Sequence, residues 1–274
     1  MNFHPDEWIW NRVYEHAIEA DKAVGPEGNN YGNLCVCALY GSQNYGLDNE
    51  HSDVDTRAVI IPSLHTIALG KSMLSTTHVC PNDEHIDLKD VRLYVDNLRK
   101  QNLTYIETLF TQYTMIDETY EEDWRMLYNN REAIARLNPV KAVKTMQGLA
   151  YRKYKDLEHP YPTKMDLINT YGYDQKQLLH LARIGNYLKR YINGMPVEEC
   201  MKPSNLDYLM KIRAYTYSLD EARDHANTII KYIDTISDEF VSTHENKNDK
   251  YATELLDDFL CRVIEKGIKK ELED

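Results

Sequence analysis

Strand-forming sequence is confined to one interval of this chain, and that confinement limits the fold more than any other feature. Between residues 32 and 110, short apolar runs alternate with stretches of helical spacing, whereas residues 6–24 and nearly everything after 115 read as helix. Leu34-Cys35-Val36-Cys37-Ala38-Leu39-Tyr40 has the unbroken hydrophobicity of a buried strand, and Ala58-Val59-Ile60-Ile61 repeats it before Pro62. Helices are expected over 120–158, with a break near Asn138-Pro139, and then over 174–193, 204–215, 219–241 and 249–271. His159-Pro160-Tyr161-Pro162 and Asn169-Thr170-Tyr171-Gly172 bound a linker, and Ser242 to Lys250 is hydrophilic enough for a mobile loop. The pattern predicts an α+β chain, with a sheet-bearing core over 1–115 and a mainly α-helical domain over 116–274.

Chemistry concentrates where the first apolar strand ends. Gly41-Ser42 follows Tyr40 directly, and ten residues later comes Asp53-Val54-Asp55. Glycine lets a backbone approach phosphate closely, and the serine hydroxyl adds a donor. Two carboxylates one residue apart on a strand leave the same face and can converge on one ion, with Val54 turned inward between them. Oxygen ligands of this kind favour Mg²⁺ or Mn²⁺. The plainer alternative is a capped turn, because Ser and Asp bind backbone amides and Gly-Ser is a common loop dipeptide. Order and spacing favour a phosphate site and a metal site side by side on adjacent strands.

With those residues in view, the chain resembles the polymerase-beta-like nucleotidyltransferase superfamily, whose signature is Gly-Ser, a spacer of similar length and Asp-X-Asp. Within it, the string is similar to a bacterial and phage family of predicted nucleotidyltransferases, in which Gly-Ser-X-X-Tyr-Gly leads into Ser-Asp-X-Asp-X-Arg. Gly41, Ser42, Tyr45, Gly46, Ser52, Asp53, Asp55 and Arg57 match that pattern, and Thr56 stands at a place that is usually apolar. The resemblance implies a small mixed β-sheet flanked by helices and a third carboxylate on a later strand. Asp87, in the alternating segment Glu84-His85-Ile86-Asp87-Leu88, is the best candidate, with Asp83, Glu84 and Asp90 as rivals. A helix starts near Asp90, and Glu107 and Phe110 match a later family segment, although Gln101-Asn102-Leu103 replaces the family's Gly-Asn-Pro turn.

The helical half carries a second constellation, Gly172-Tyr173-Asp174 followed by Lys176, His180 and Arg183. If Asp174 caps a helix, the three cations are spaced by four and three and occupy one face. Such a face can hold phosphate; equally, His180 can be an interhelical hydrogen-bonding residue, with Lys176 and Arg183 solvated partners of acidic residues. The same family shows Gly-Tyr-Asp-X-Lys, then His and Arg at matching positions, so the resemblance extends to about residue 235 and implies nucleotide binding by this face.

Composition narrows the partners. The 274 residues can bury a substantial core, and the formal net charge of −12 counts against passive binding of long nucleic acid, though not against a nucleic-acid substrate. Lys141, Lys144, Arg152, Lys153 and Lys155 form a basic interval that reads first as a solvated helix face. The 21 tyrosines are scattered, as expected of amphipathic residues at core edges. Cys35, Cys37, Cys80, Cys200 and Cys261 lack metal or disulfide spacing and read as reduced core residues, and the histidines show no zinc signature. No run of about 18 apolar residues and no secretory leader pattern is present, so a cytoplasmic protein without a membrane partner is expected.

The leading expectation is a Mg²⁺- or Mn²⁺-dependent enzyme that moves a nucleoside monophosphate, as from ATP, to an acceptor hydroxyl and releases pyrophosphate. Asp53, Asp55 and Asp87 would be catalytic and metal-binding, while Gly41, Ser42, Lys176, His180 and Arg183 would bind nucleotide. RNA, protein and small-molecule acceptors all suit the catalytic half, and oligomeric state is not encoded in these motifs. A nucleotide-binding regulatory or antitoxin-like module acting on a protein partner is the alternative, and phosphohydrolysis at the same metals is a third.

Overall fold

The apolar run becomes β1 (Gly32–Tyr40), and its six consecutive buried residues suit a strand with a neighbour on each side. The computed structural model describes residues 3–273. One neighbour of β1 is β2 (Asp55–Pro62), antiparallel, with Tyr40 opposite Asp55 and a bulge between Leu34 and Val36; the other is β5 (Thr114–Ile116), also antiparallel. Beyond β2 lies β4 (His85–Asp90), which runs parallel to it, and β3 (Ser75–Val79) closes that edge against β4. The five-stranded mixed sheet has the order β3-β4-β2-β1-β5. Its β3 edge strand is polar and exposed, as an edge that must not recruit another strand should be.

Helices follow in the order α1 (Asp6–Val24), α2 (Leu64–Ala68), α3 (Val91–Arg99), α4 (Leu103–Ile106), α5 (Glu121–Asn129) and α6 (Arg131–Ala135). Then come α7 (Pro139–Asp156), α8 (Met165–Tyr171), α9 (Gln175–Ile192), α10 (Val197–Met201), α11 (Leu206–Arg213), α12 (Leu219–Thr243) and α13 (Lys250–Glu273). Their starts are chemically explicit. Asp90 accepts from the Arg92 amide at α3, Asn138 accepts from the Lys141 amide at α7, and Ser218 and Glu221 form a reciprocal capping box at α12.

The chain divides into two units, Met1–Leu137 with Asn248–Asp274, and Asn138–Lys247. In the first, α1 covers one sheet face, packing Ala17, Ala20 and Val24 against Cys37, Ala58, Ile60, Ile86 and Leu88. The opposite face meets α3 and α13, and Gly267 of α13 approaches so closely that an added Cβ would lie 2.6 Å from Ile61 Cγ2. In the second unit, α7, α9, α11 and α12 pack together around Tyr173, Leu178, Tyr191 and Ile233. Side-chain ties such as Tyr154 to Asn227 (2.5 Å) and Gln147 to Asp234 (2.9 Å) join α7 to α12.

Several expectations need correction. The linker between Pro162 and Gly172 contains α8, and the stretch 120–158 breaks at Asn130 as well as before Pro139. The segment 204–215 yields the shorter α11, while α12 extends through Ser242 and Thr243, leaving 244–249 outside helix. The compact units are also cut differently from 115/116: α5, α6 and α13 belong with the sheet. Cys35, Cys37, Cys80 and Cys200 are buried free thiols, but Cys261 is exposed on α13 and is not a core residue. No helix among the described residues is long and apolar enough to cross a membrane.

Candidate active site

The strand register brings the two halves of the motif together. Because Tyr40 pairs with Asp55, Gly41-Ser42 leaves β1 at the end where Asp53-Val54-Asp55 enters β2. Gly41 adopts φ 121°, ψ −160°, a region essentially reserved for glycine, and it turns the chain into a 3₁₀ turn over Ser42–Tyr45. Gly46, at φ 66°, closes that turn by donating to the Ser42 carbonyl. Ser42 is half-buried, and its hydroxyl lies 3.5 Å from Gln43 Oε1. Val54 is fully buried beside Ile9, Val13 and Leu39, with the exposed Asp53 and the half-buried Asp55 flanking it. Burial alternates across Asp53-Val54-Asp55 with the valine as the anchor, but β2 begins at Asp55, so the strand expected to carry both carboxylates carries only the second.

Asp87 sits one strand away. Parallel pairing sets Arg57 of β2 opposite Asp87 of β4, and the two-residue period places Asp55, Arg57, Asp87 and Lys89 on one sheet face. Asp87 Oδ2 accepts from Arg57 Nε at 3.0 Å, and its Oδ1 lies 2.7 Å from Lys89 Nζ. Arg57 is buried between two rings, 3.8 Å from the Tyr105 centroid and 5.0 Å from that of Tyr40, and donates to the Thr104 carbonyl at 2.5 Å. Burial, then the negative charges of Asp55 and Asp87, push the Tyr40 phenol well above its ordinary range. Asp55 also lies 3.6 Å from His85 Nδ1.

The rivals of Asp87 are elsewhere. Asp83 occupies a left-handed turn at φ 65°, and Asp90 is a fully buried helix cap bound by Arg92 and Tyr31. Glu84 is buried at the α1 side, where it accepts from Arg12 Nε (2.9 Å) and meets His16 Nε2 (3.0 Å). Burial opposes its ionisation, but hydrogen bonds from His16, Arg12, Asn82 and the Val54 amide prevail and hold its carboxyl down to about 2. His16 Nδ1 reaches Thr56 Oγ1 at 2.9 Å, so the threonine hydroxyl has a partner in the buried interior.

Asp53 and Asp55 fit a hard divalent cation: both offer oxygen ligands from one strand mouth, and neither is fully buried. Asp87 presents oxygens already matched by Arg57 and Lys89. Among the described residues, no group of three or more His, Cys, Asp or Glu side chains is gathered to hold a metal ion.

In the second unit, Asp174 caps α9 by accepting from the Lys176 amide at 2.8 Å, as its sequence position predicted. Lys176 is exposed and Arg183 is buried. His180 is driven well below its ordinary range by withdrawal from solvent and then by the charges of Arg183, Lys153, Lys176 and Arg213. The structure thus adds Lys153 of α7 and Arg213 of α11 to the basic face. Lys144, Arg152 and Lys155 stay exposed, as expected of a solvated helix face.

Sequence reasoning passed over Lys89 and Gln43, held Arg57 only as a motif position and weighed Glu84 only as a rival of Asp87. Arg57 and Lys89 were detectable by period, each standing two residues after a candidate carboxylate. Gln43 gave no signal, because its position depends on a 3₁₀ turn that apolar periodicity does not reveal.

No protein-family model and no curated protein sequence matches the chain. Among solved structures, it is similar to a nucleotidyltransferase-like protein from Exiguobacterium sibiricum 255-15, with 11% identity and a TM-score of 0.32 over 86% of this chain and 75% of that one.

Proposed function

We propose that this protein is a metal-dependent nucleotidyltransferase that moves a nucleoside monophosphate from a nucleoside triphosphate to an acceptor hydroxyl. The observation that carries the reading is the register: Tyr40 opposite Asp55 and Arg57 opposite Asp87 align the Gly41-Ser42 turn, the Asp53/Asp55 pair and Asp87 along one end of the sheet. Asp53 and Asp55, with Asp87 completing the site on the acceptor side, would hold Mg²⁺ or Mn²⁺, which when bound would neutralise charge on the attacking and leaving oxygens. The Gly41 turn admits phosphate oxygens close to the backbone, and Ser42 donates to them. Asp87 serves the acceptor side, orienting the hydroxyl and taking its proton, once Lys89, the less buried of its two cationic partners, yields an oxygen. Arg57, held between tyrosine rings, keeps β2 and β4 in register at the carboxylates. Lys176, His180 and Arg183 are proposed as phosphate contacts of the second unit.

A second reading has one observation in its favour. The pairing of Asp87 with both Arg57 and Lys89 suits a nucleotide-binding regulatory module that performs no transfer. Incubation with each labelled nucleoside triphosphate, Mg²⁺ or Mn²⁺, RNA and protein acceptors separates the two. Transfer predicts a labelled acceptor and pyrophosphate, both lost in Asp53→Asn and Asp55→Asn; near-normal transfer by either variant sinks the mechanism. Nucleotide binding without pyrophosphate selects the regulatory module, and inorganic phosphate selects hydrolysis.

A further inference from the structure

A trans peptide points its carbonyl and its amide hydrogen to opposite sides, so fixing both fixes the rotation of the plane between them. The peptide joining Asp53 to Val54 is held in this way. Its carbonyl oxygen accepts from Gln43 Nε2 at 2.7 Å, and its amide donates to Glu84 Oε1 at 3.2 Å. Gln43 and Glu84 are 3% and 6% exposed, so water competes poorly for either bond. Each partner is anchored in turn. Gln43 belongs to the 3₁₀ turn that follows Gly41, and Glu84 is tied to Arg12 and His16 of α1. Rotation of this one plane would swing Asp53 and Asp55 apart, because it lies between their side chains.

We propose that Gln43 and Glu84 form a two-sided clamp on the Asp53–Val54 peptide and act as positioning residues for the Asp53/Asp55 carboxylate pair. The inference rests on the reading of that pair as metal ligands. It assigns a purpose to the buried Glu84 network and links the phosphate-binding turn to the metal-binding residues: a shift of the turn after Gly41 moves Gln43, and through it Asp53. Removing a supporting hydrogen bond from metal ligands costs about 10–100-fold in affinity.

The test is Mn²⁺ binding by the full-length protein, followed by electron paramagnetic resonance, with far-UV circular dichroism and melting to verify the fold. Gln43→Met and Glu84→Met should each weaken Mn²⁺ binding about tenfold or more. Glu84→Gln keeps an acceptor for the Val54 amide and should restore most of the lost affinity. Asp55→Asn is the reference for the metal reading itself. If Asp55→Asn loses Mn²⁺ while a folded Gln43→Met binds it like the parent, the clamp is overturned and the metal reading stands. If Asp55→Asn keeps parental affinity, the metal reading falls and the clamp falls with it. Should Glu84→Met fail to fold, Gln43→Met and Glu84→Gln decide the matter: parental affinity in the first overturns the clamp, and a tenfold loss there with near-parental binding in the second supports it.

Discussion

Replacing Gly41 by alanine isolates the backbone geometry of the candidate phosphate turn. At φ 121°, ψ −160° the residue occupies a region that side chains avoid, and the nearest atom to an added Cβ is Gln43 Oε1 at 3.6 Å, an ordinary contact. The cost is therefore conformational and not a clash, on the order of 1–3 kcal/mol. For a chain of this size each kcal/mol lowers the melting temperature by about 2–4 °C, so Gly41→Ala should melt about 2–12 °C below the parent. Gly70→Ala provides the control, since Gly70 has φ 60° with nothing within 4 Å of an added Cβ and lies outside the site. Both variants should lose stability, measured by thermal melts. Only Gly41→Ala should lose turnover, because relaxing its strain moves Ser42 and Gln43, and a displacement of about 1 Å at a reacting centre costs roughly 100-fold. Full stability with full pyrophosphate release in Gly41→Ala would refute the reasoning.

Lys89→Met frees Asp87 Oδ1 from a partner at 2.7 Å; Mn²⁺ titration should show tighter binding, roughly fivefold for a contact of about 1 kcal/mol, and unchanged affinity would remove Asp87 from the metal site. The folded Glu84 carboxyl is held down to about 2, below its ordinary 4.5, so its stabilisation is complete above about 4.5 and lost as the pH falls through about 2. The melting advantage of the parent over Glu84→Gln should shrink across that window, and a constant difference would contradict the assignment. His180 lies well below its ordinary 6.5, so the unfolded chain takes up its proton first and stability falls as the pH drops below 6.5. In a proton NMR titration, Lys153→Met should move the His180 midpoint upward by relieving repulsion, and no movement would remove Lys153 from its surroundings.

Local patterns in the chain were sufficient for the elements themselves. Apolar runs marked β1 and β2, 3.6-residue spacing marked α1, α9, α12 and α13, and Asp90 and Asp174 announced helix starts by cap chemistry. The short edge strands β3 and β5 escaped notice because neither carries a buried apolar run. The helix α8 escaped as well, since Pro162 and Gly172 frame it with turn signals and none of its residues is buried.

The candidate site divides along the same line. Residue type and order nominated the candidates: Gly41, Ser42, Asp53 and Asp55 by motif, and Asp87 as the third carboxylate that the resemblance implies on a later strand. Tertiary structure decided what each one faces. Parallel pairing of β2 with β4 set Arg57 and Lys89 against Asp87, α1 drew Glu84 to the other face, and the 3₁₀ turn carried Gln43 to the Asp53 carbonyl. Periodicity records which face a residue occupies, but the partner across a strand pair is set by register and chain reversal, and these emerge only when distant segments pack.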